Sequence, residues 1–335
     1  MNRFTVFGSL EAKWIQISLG FLCTALIFSL NIIDNPIAKK PINTTNFVVY
    51  DFISSLHLHP YKEITKVFVV DIDDYSIGKE GRWPWPRDKL ATILFNLQNA
   101  GVVAVGLDII MTNPEINYAI GLKDKLSTIS ELVSINPNAA KKEFSSTALE
   151  RLLEKLAPEV DNDQLLVQTM KNYDVTLGFL FHNLLSTQNG LLPQPLINAE
   201  QQLISPKEFD VRYFHGYNAS LALFMTSAGH GGFVTNVPDS DDIIRRGQLL
   251  GSIDDKVYAS LALMSAMRFL LAEHIDLKKH KTLVGDTLYG LDVAGTFVPT
   301  TPQAEILIPF WGLQFTLPYI SATDILHQNF AADNL

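Results

Sequence analysis

Cysteine is almost missing from this chain of 335 residues: Cys23 is the only one. That excludes a disulfide framework, thiol catalysis and cysteine-based zinc sites from everything downstream of it. A basic excess is missing too. Lys and Arg number 26 against 35 Asp and Glu, a formal net charge of −9, and the first 45 residues carry four of the basic and only two of the acidic ones. The remainder is therefore more acidic than the whole. Such a surface lacks the positive footprint of a nucleic-acid binder and is repelled by anionic lipid. No HExxH, GxSxG, P-loop or complete GxGxxG occurs, so the common zinc-peptidase, serine-hydrolase and nucleotide-binding signatures are absent and no cofactor is called for. The eight histidines are dispersed, and no calcium-loop spacing is met at Asp71 or Asp239. Repeats, heptads and low-complexity tracts are lacking.

Long apolar runs are scarce as well, with one exception. "WIQISLGFLCTALIFSLNII", Trp14–Ile33, is 20 residues without a charge, about the length a helix needs to cross the hydrocarbon layer. No small-x-small cleavage pattern follows in "DNPIAKKP", so an uncleaved anchor is expected rather than a signal peptide. Arg3 and Lys13 before the run are matched by Lys39 and Lys40 after it, which leaves orientation open. Absence of cysteine beyond the run suits an oxidising compartment. The expected organisation is a tail at 1–13, a membrane helix at 14–33, a polar Pro-broken connector at 34–45 and a single domain at 46–335.

Within that domain, "KVFVVDIDD" reads as a strand buried on both faces. In "PWPRDKLATILFNLQNAG", Leu90, Ile93, Leu94 and Leu97 form one helical stripe, with Pro86 at the entry and Gly101 just past the end. "VVAVGLDIIM", 102–111, reads as the next buried strand. Strand, helix and strand predict a βαβ unit that starts a mainly parallel sheet. Residues 112–172 read as a helical insertion, on the spacing of Leu149, Leu152, Leu153, Leu156 and Val160. Strands are expected at 174–181 and in "GFVTNV", a buried helix in "DDKVYASLALMSAMRFLLAEH", and antiparallel strands in "TLYGLDVAGTFVPTTPQAEILIPFWG". A last helix begins at "SATDIL", capped by Ser321. Residues 182–228 read as irregular, with one turn signal at Asn189-Gly190. The fold class is α/β with a C-terminal antiparallel portion.

Chemistry-bearing residues gather in two places. Asp73 and Asp74 follow the first strand, Asp108 the second, and Trp83, Trp85 and Arg87 stand in "GRWPWPRDKL" between them. The carboxyl ends of parallel strands are where α/β proteins take ligands, so a cleft is expected there. The alternative is architecture: strand-end carboxylates that cap backbone N–H groups, a Pro-stiffened corner, and an aspartate among Asp73, Asp74 and Asp108 that holds Arg87 against the helix dipole. Asp71-Ile72-Asp73 also has the Asp-x-Asp spacing of Asp-nucleophile phosphohydrolases, with Tyr75 where Thr is usual. The second place is "DSDDIIRRG", where Asp239 and Asp241 precede Arg245 and Arg246. An inward arginine there either binds an anionic ligand or closes an internal ion pair.

"VVDIDDYSI" with "GRWPWPRDKLATILFNLQNAGVVAVGLDIIM", followed in order by "GGFVTNVPDSDDIIRRGQLL", "VYASLALMSAM" and "ISATDIL", closely resembles the type-two CHASE domain over about residues 46–335. This chain departs from the family at Asp242, where Gly is typical. The resemblance implies an extracytoplasmic, ligand-responsive sensor with no catalysis of its own and an unidentified small-molecule or periplasmic signal, working as a homodimer on the bacterial inner membrane. It implies output through an adenylate or guanylate cyclase, or alternatively a histidine or Ser/Thr kinase. A membrane-anchored phosphohydrolase is the competing reading. Members of the family continue past the point matching "AADNL", so the C-terminal end of the domain is expected to be incomplete at residue 335.

Overall fold

The structure is a computed structural model that describes residues 14–25, 36–56, 67–116, 122, 125, 161–184, 187–282, 285–309 and 317–330. The chain divides into two units, Met1–Tyr61 with Phe310–Thr316, and Lys62–Pro309 with Leu317–Leu335. In the first, residues 14–25 form α1, exposed throughout, and α2 spans Pro36–Leu56. The rest of the expected span, 26–33, lies outside the described residues. Among the described residues, no helix is long and apolar enough to cross a membrane. The stretch expected as a polar connector is helical from Pro36 onward. Proline is tolerated at the first helical position because the N–H it lacks would have no intrahelical partner there.

The second unit opens with β1 (Val69–Asp71), α3 (Asp74–Glu80), α4 (Arg87–Asn99), β2 (Val105–Leu107), α5 (Asn162–Lys171), β3 (Val175–His182) and β4 (Gln188–Asn189). There follow β5 (Arg212–Tyr213), β6 (Gly216–Asn218), α6 (Ala222–Ala228), β7 (His230–Phe233), β8 (Arg246–Gln248), β9 (Leu250–Ile253), β10 (Lys256–Ala259) and α7 (Leu261–Phe269). The last elements are β11 (Asp276–Thr282), β12 (Gly285–Val293), β13 (Thr296–Pro299), β14 (Glu305–Leu307), β15 (Tyr319–Ser321) and α8 (Ala322–Leu326).

Strand β3 is the centre. Its apolar run "VTLGFLFH" is buried except at Leu180 and its last residue. It pairs in parallel with β2 and β7 and, along its C-terminal half, antiparallel with β6, whose other edge takes β4. Antiparallel β11, β12 and β13 make the C-terminal sheet. The architecture is thus mixed α/β.

The expected βαβ unit is not formed as such. β1 pairs not with β2 but in parallel with β15. The strand, expected to run to Asp74, is short because Asp73 ends it: the side chain accepts from the Ser76 N–H and caps α3, a helix that the sequence reading did not assign. The helix expected over "DDKVYASLALMSAMRFLLAEH" starts only at Leu261. Lys256–Ala259 instead pairs with β9, and Ser260 caps α7 through the Leu263 N–H. The tract expected as irregular contains β4, β5, β6 and α6. Of the insertion, α5 is described; the Leu149–Val160 pattern lies outside the described residues.

α4 divides two cores. Leu90, Ala91 and Leu94 pack with Leu166, Val167 and Met170 of α5 and with Phe224 and Met225 of α6. Ile93 and Leu97 pack with Trp85, Ala322 and Ile325. Each such leucine contributes roughly 1.5–3 kcal/mol by leaving water. At the far end, the buried Asn96 donates to the carbonyls of Ile325 (2.9 Å) and Leu326 (3.1 Å), tying α4 to α8.

Candidate functional site

The Trp-Pro corner is architectural. Trp85 is 2 % exposed and its Nε1 donates to the Gly81 carbonyl at 2.8 Å. The half-buried Trp83 meets it edge to face, ring centroids 5.9 Å apart, after a cis Trp83–Pro84 bond. Both indoles are therefore spent on packing, a use Trp favours when its N–H finds a partner.

Arg87 is not held by Asp73, Asp74 or Asp108. Its backbone N–H, the first of α4, donates to Glu115 Oε2 at 2.7 Å, and its Nε lies 3.7 Å from Asp163 Oδ1. Glu115 accepts from the Asn162 amide at 3.0 Å and donates its own N–H to Asp163 Oδ2 at 2.9 Å. Residue 115 thereby straps the start of α4 to the start of α5. Arg87 Nε and Asp163 Oδ1 are both buried without a hydrogen bond. Burial pushes the Asp163 carboxyl above its ordinary range, against the Glu115 N–H and the Arg87 charge.

The strand-end acids are not gathered into one site. Asp73 Oδ1 takes the Ser76 N–H and Oδ2 the Ser321 hydroxyl at 2.5 Å. Although burial opposes it, these bonds hold the Asp73 carboxyl below its ordinary range. Both oxygens of the Asp-x-Asp pattern's second carboxylate are thus engaged in joining α3 to β15. Ser321 precedes α8 as expected but spends its hydroxyl on Asp73 rather than on the helix. Thr323 N–H donates to Ser76 Oγ, and Glu80 accepts from Lys89 and Thr323 and pairs with His327. With Lys89 the largest contributor, the Glu80 carboxyl falls to about 2. Asp74 and Asp108 are exposed.

At "DSDDIIRRG" the internal ion pair is formed. Arg245, 3 % exposed, makes a two-pronged contact with Asp241, at 2.8 and 2.9 Å, and reaches Asp239 at 3.3 Å. Arg246 also bonds Asp239. The Asp241 carboxyl lies below its ordinary range, first because of the hydrogen bond from Arg245. The loop is closed by Asp242 N–H to the Asp239 carbonyl, with Asp242 at φ 63°. That left-handed backbone explains why glycine suits the position.

A concave feature lies elsewhere. A cleft of about 590 Å³ is lined by Ile110, Thr112, Asn113, Leu180, Asn189, Gly190 and Asn218. It draws on the segment that leaves β2, on β3, on β4 with its turn, and on β6. The carboxyl end of β2 was expected to border a cleft, but Asp73, Asp74, Trp83, Trp85, Arg87 and Asp108 do not line it. Gly190 is required there: at φ 83° a Cβ would stand 2.1 Å from the Ala219 carbonyl oxygen. Asn113 Nδ2 donates to Thr112 Oγ1 at 3.2 Å and Asn189 Nδ2 to Asn218 Oδ1 at 3.1 Å. Of these residues only the Asn-Gly turn carried a sequence signal. Among the described residues, no group of three His, Cys, Asp or Glu side chains stands together as a metal site.

No curated protein and no solved structure matches the chain. The family model of the CHASE2 domain matches residues 21–335. The chain belongs to the CHASE2 domain family, a family of extracytoplasmic sensory domains of signalling receptors.

Proposed function

We propose that this sensory domain is the input half of a membrane receptor with a nucleotide cyclase as its output, anchored through residues 14–33 and working as a homodimer. The family match over residues 21–335 carries the sensory part of the reading. The anchor rests on the uncharged 20-residue run, and an outside location on the absence of cysteine beyond Cys23. A histidine or Ser/Thr kinase output fits the same input, because nothing in the domain is specific to cyclase chemistry.

The sensing mechanism is a population shift. A ligand changes output only by binding two arrangements of the domain with different affinity. The ties between the cleft segment, α4 and α8 supply a physical route, since Glu115 stands two residues past Asn113 and fixes the N-terminus of α4.

Two measurements test the reading. Alkaline phosphatase fused after residue 335 is expected to be active in a bacterial host, and an inactive fusion would remove the extracytoplasmic location. The chain joined through a membrane segment to a cyclase catalytic domain is expected to alter cyclic AMP formation when periplasmic extract is added. Equal rates with and without extract, in a fusion that retains cyclase activity, would sink the input role.

A further inference from the structure

We infer that the cleft between the β2 exit, β3, β4 and β6 is the ligand site, and that it takes an uncharged small molecule bearing hydroxyl or amide groups. The inference rests on the sensory reading above and adds the place and chemical class of the signal.

The cleft's volume, about 590 Å³, falls within the range of small-molecule sites. Its lining pairs two apolar side chains, Ile110 and Leu180, with one hydroxyl and three carboxamides. None of the seven carries a charge. The lining offers an ionic ligand no counter-charge to offset the water that it would lose on entering. A carboxamide, in contrast, donates and accepts at once. The two internal bonds, Asn113 to Thr112 and Asn189 to Asn218, use one amide group from each donor and one acceptor from each partner. The carbonyl oxygens of Asn113 and Asn189 and the Asn218 NH₂ remain for a ligand that both donates and accepts. Ile110 and Leu180 supply the apolar contact that such a molecule's carbon skeleton requires.

The backbone holds the cleft open. Met111, between two lining residues, is fully buried, donates its N–H to Ser220 Oγ and accepts the Leu221 N–H on its carbonyl. Gly190 permits the β4 turn to approach Ala219 at a distance no side chain would allow. The polar groups therefore stand on a fixed frame, which lowers the ordering cost of binding.

The test uses the full chain in detergent. Isothermal titration is run with glucose and N-acetylglucosamine as uncharged probes, and with glucose 6-phosphate, glutamate and putrescine as charged ones. At least one uncharged probe is expected to bind at millimolar concentration or below. Asn113→Ala and Asn218→Ala are each expected to weaken it several-fold, with thermal midpoints unchanged. Asp74→Asn, outside the cleft, is the control and is expected to bind as the parent does. Preferential binding of a charged probe, no binding of either uncharged probe, or binding indifferent to both asparagine variants overturns the assignment. Binding that survives while the cyclase fusion fails to respond would keep the site and sink the receptor role instead.

Discussion

Arg245 and Arg87 both stand beside aspartates, yet their surroundings differ in almost every respect. Arg245 closes a loop with partners four and six residues away and is matched bond for bond, its fork lying on Asp241 at 2.8 and 2.9 Å. Arg87 meets Asp163 from another helix at 3.7 Å, and both leave a buried polar atom unsatisfied. The Asp241 carboxyl is lowered by its hydrogen bond from Arg245, and the Asp163 carboxyl is raised by burial. The first site is built to stay closed. The second holds a charge at a cost, at the junction where α4, α5 and the segment from the cleft meet. Buried ion pairs contribute to stability only when desolvation is offset by well-aligned partners, and only the first meets that condition.

Breaking the tight site has the larger effect. Arg245→Ala is expected to lower unfolding free energy by about 2 kcal/mol, because it removes the two-pronged bond to Asp241 and leaves a cavity where the buried guanidinium lay, although Asp239 keeps Arg246. Urea titration followed by circular dichroism measures it, and a loss below about 1 kcal/mol would show the two sites to be alike. Asp163→Asn is expected to cost less than about 1 kcal/mol at neutral pH, since the amide oxygen still accepts the Glu115 N–H. Its sharper consequence is in pH dependence. A carboxyl raised on folding binds its proton more tightly in the native state, so its unfavourable contribution is full above the folded pKa and fades as pH falls through it. Parent minus variant stability should therefore move in the parent's favour from neutral pH down to about pH 4. A flat difference would mean that Asp163 is not strained by burial. The smallest effect is Asp242→Gly, at the turn of the tight site. It is expected to add about 0.5 kcal/mol by relieving a left-handed residue, seen as a higher urea midpoint; a loss would mean that the Asp242 side chain holds the loop.

The same contrast explains what was legible in the sequence. The Arg245 pairing is local, and spacing alone offered it. The α4 stripe, the β3 run and the β12–β13 hairpin were equally readable, because each is a short-range pattern of apolar residues. Arg87's partners were not readable, since Glu115 and Asp163 reach it only through tertiary packing. Nor was the pairing of β1 with β15 across the whole unit, nor the end of β1 at a capping aspartate. Of the cleft, Asn189-Gly190 announced a turn but not a wall, and Thr112, Asn113 and Asn218 are ordinary polar residues until β3 and β6 bring them together.

α4 has 13 residues, hence a length of about 20 Å, and is pinned at both ends by side-chain bonds rather than by packing alone. At the entry Glu115 grips its first N–H, and in the last turn the Asn96 amide grips the carbonyls where α8 ends. A rod gripped at its tips behaves as a pushrod. An axial slide at the Glu115 end would be carried along the hydrogen-bonded backbone toward Ile325 and Leu326. The two cores on either side of it then act as its bearing.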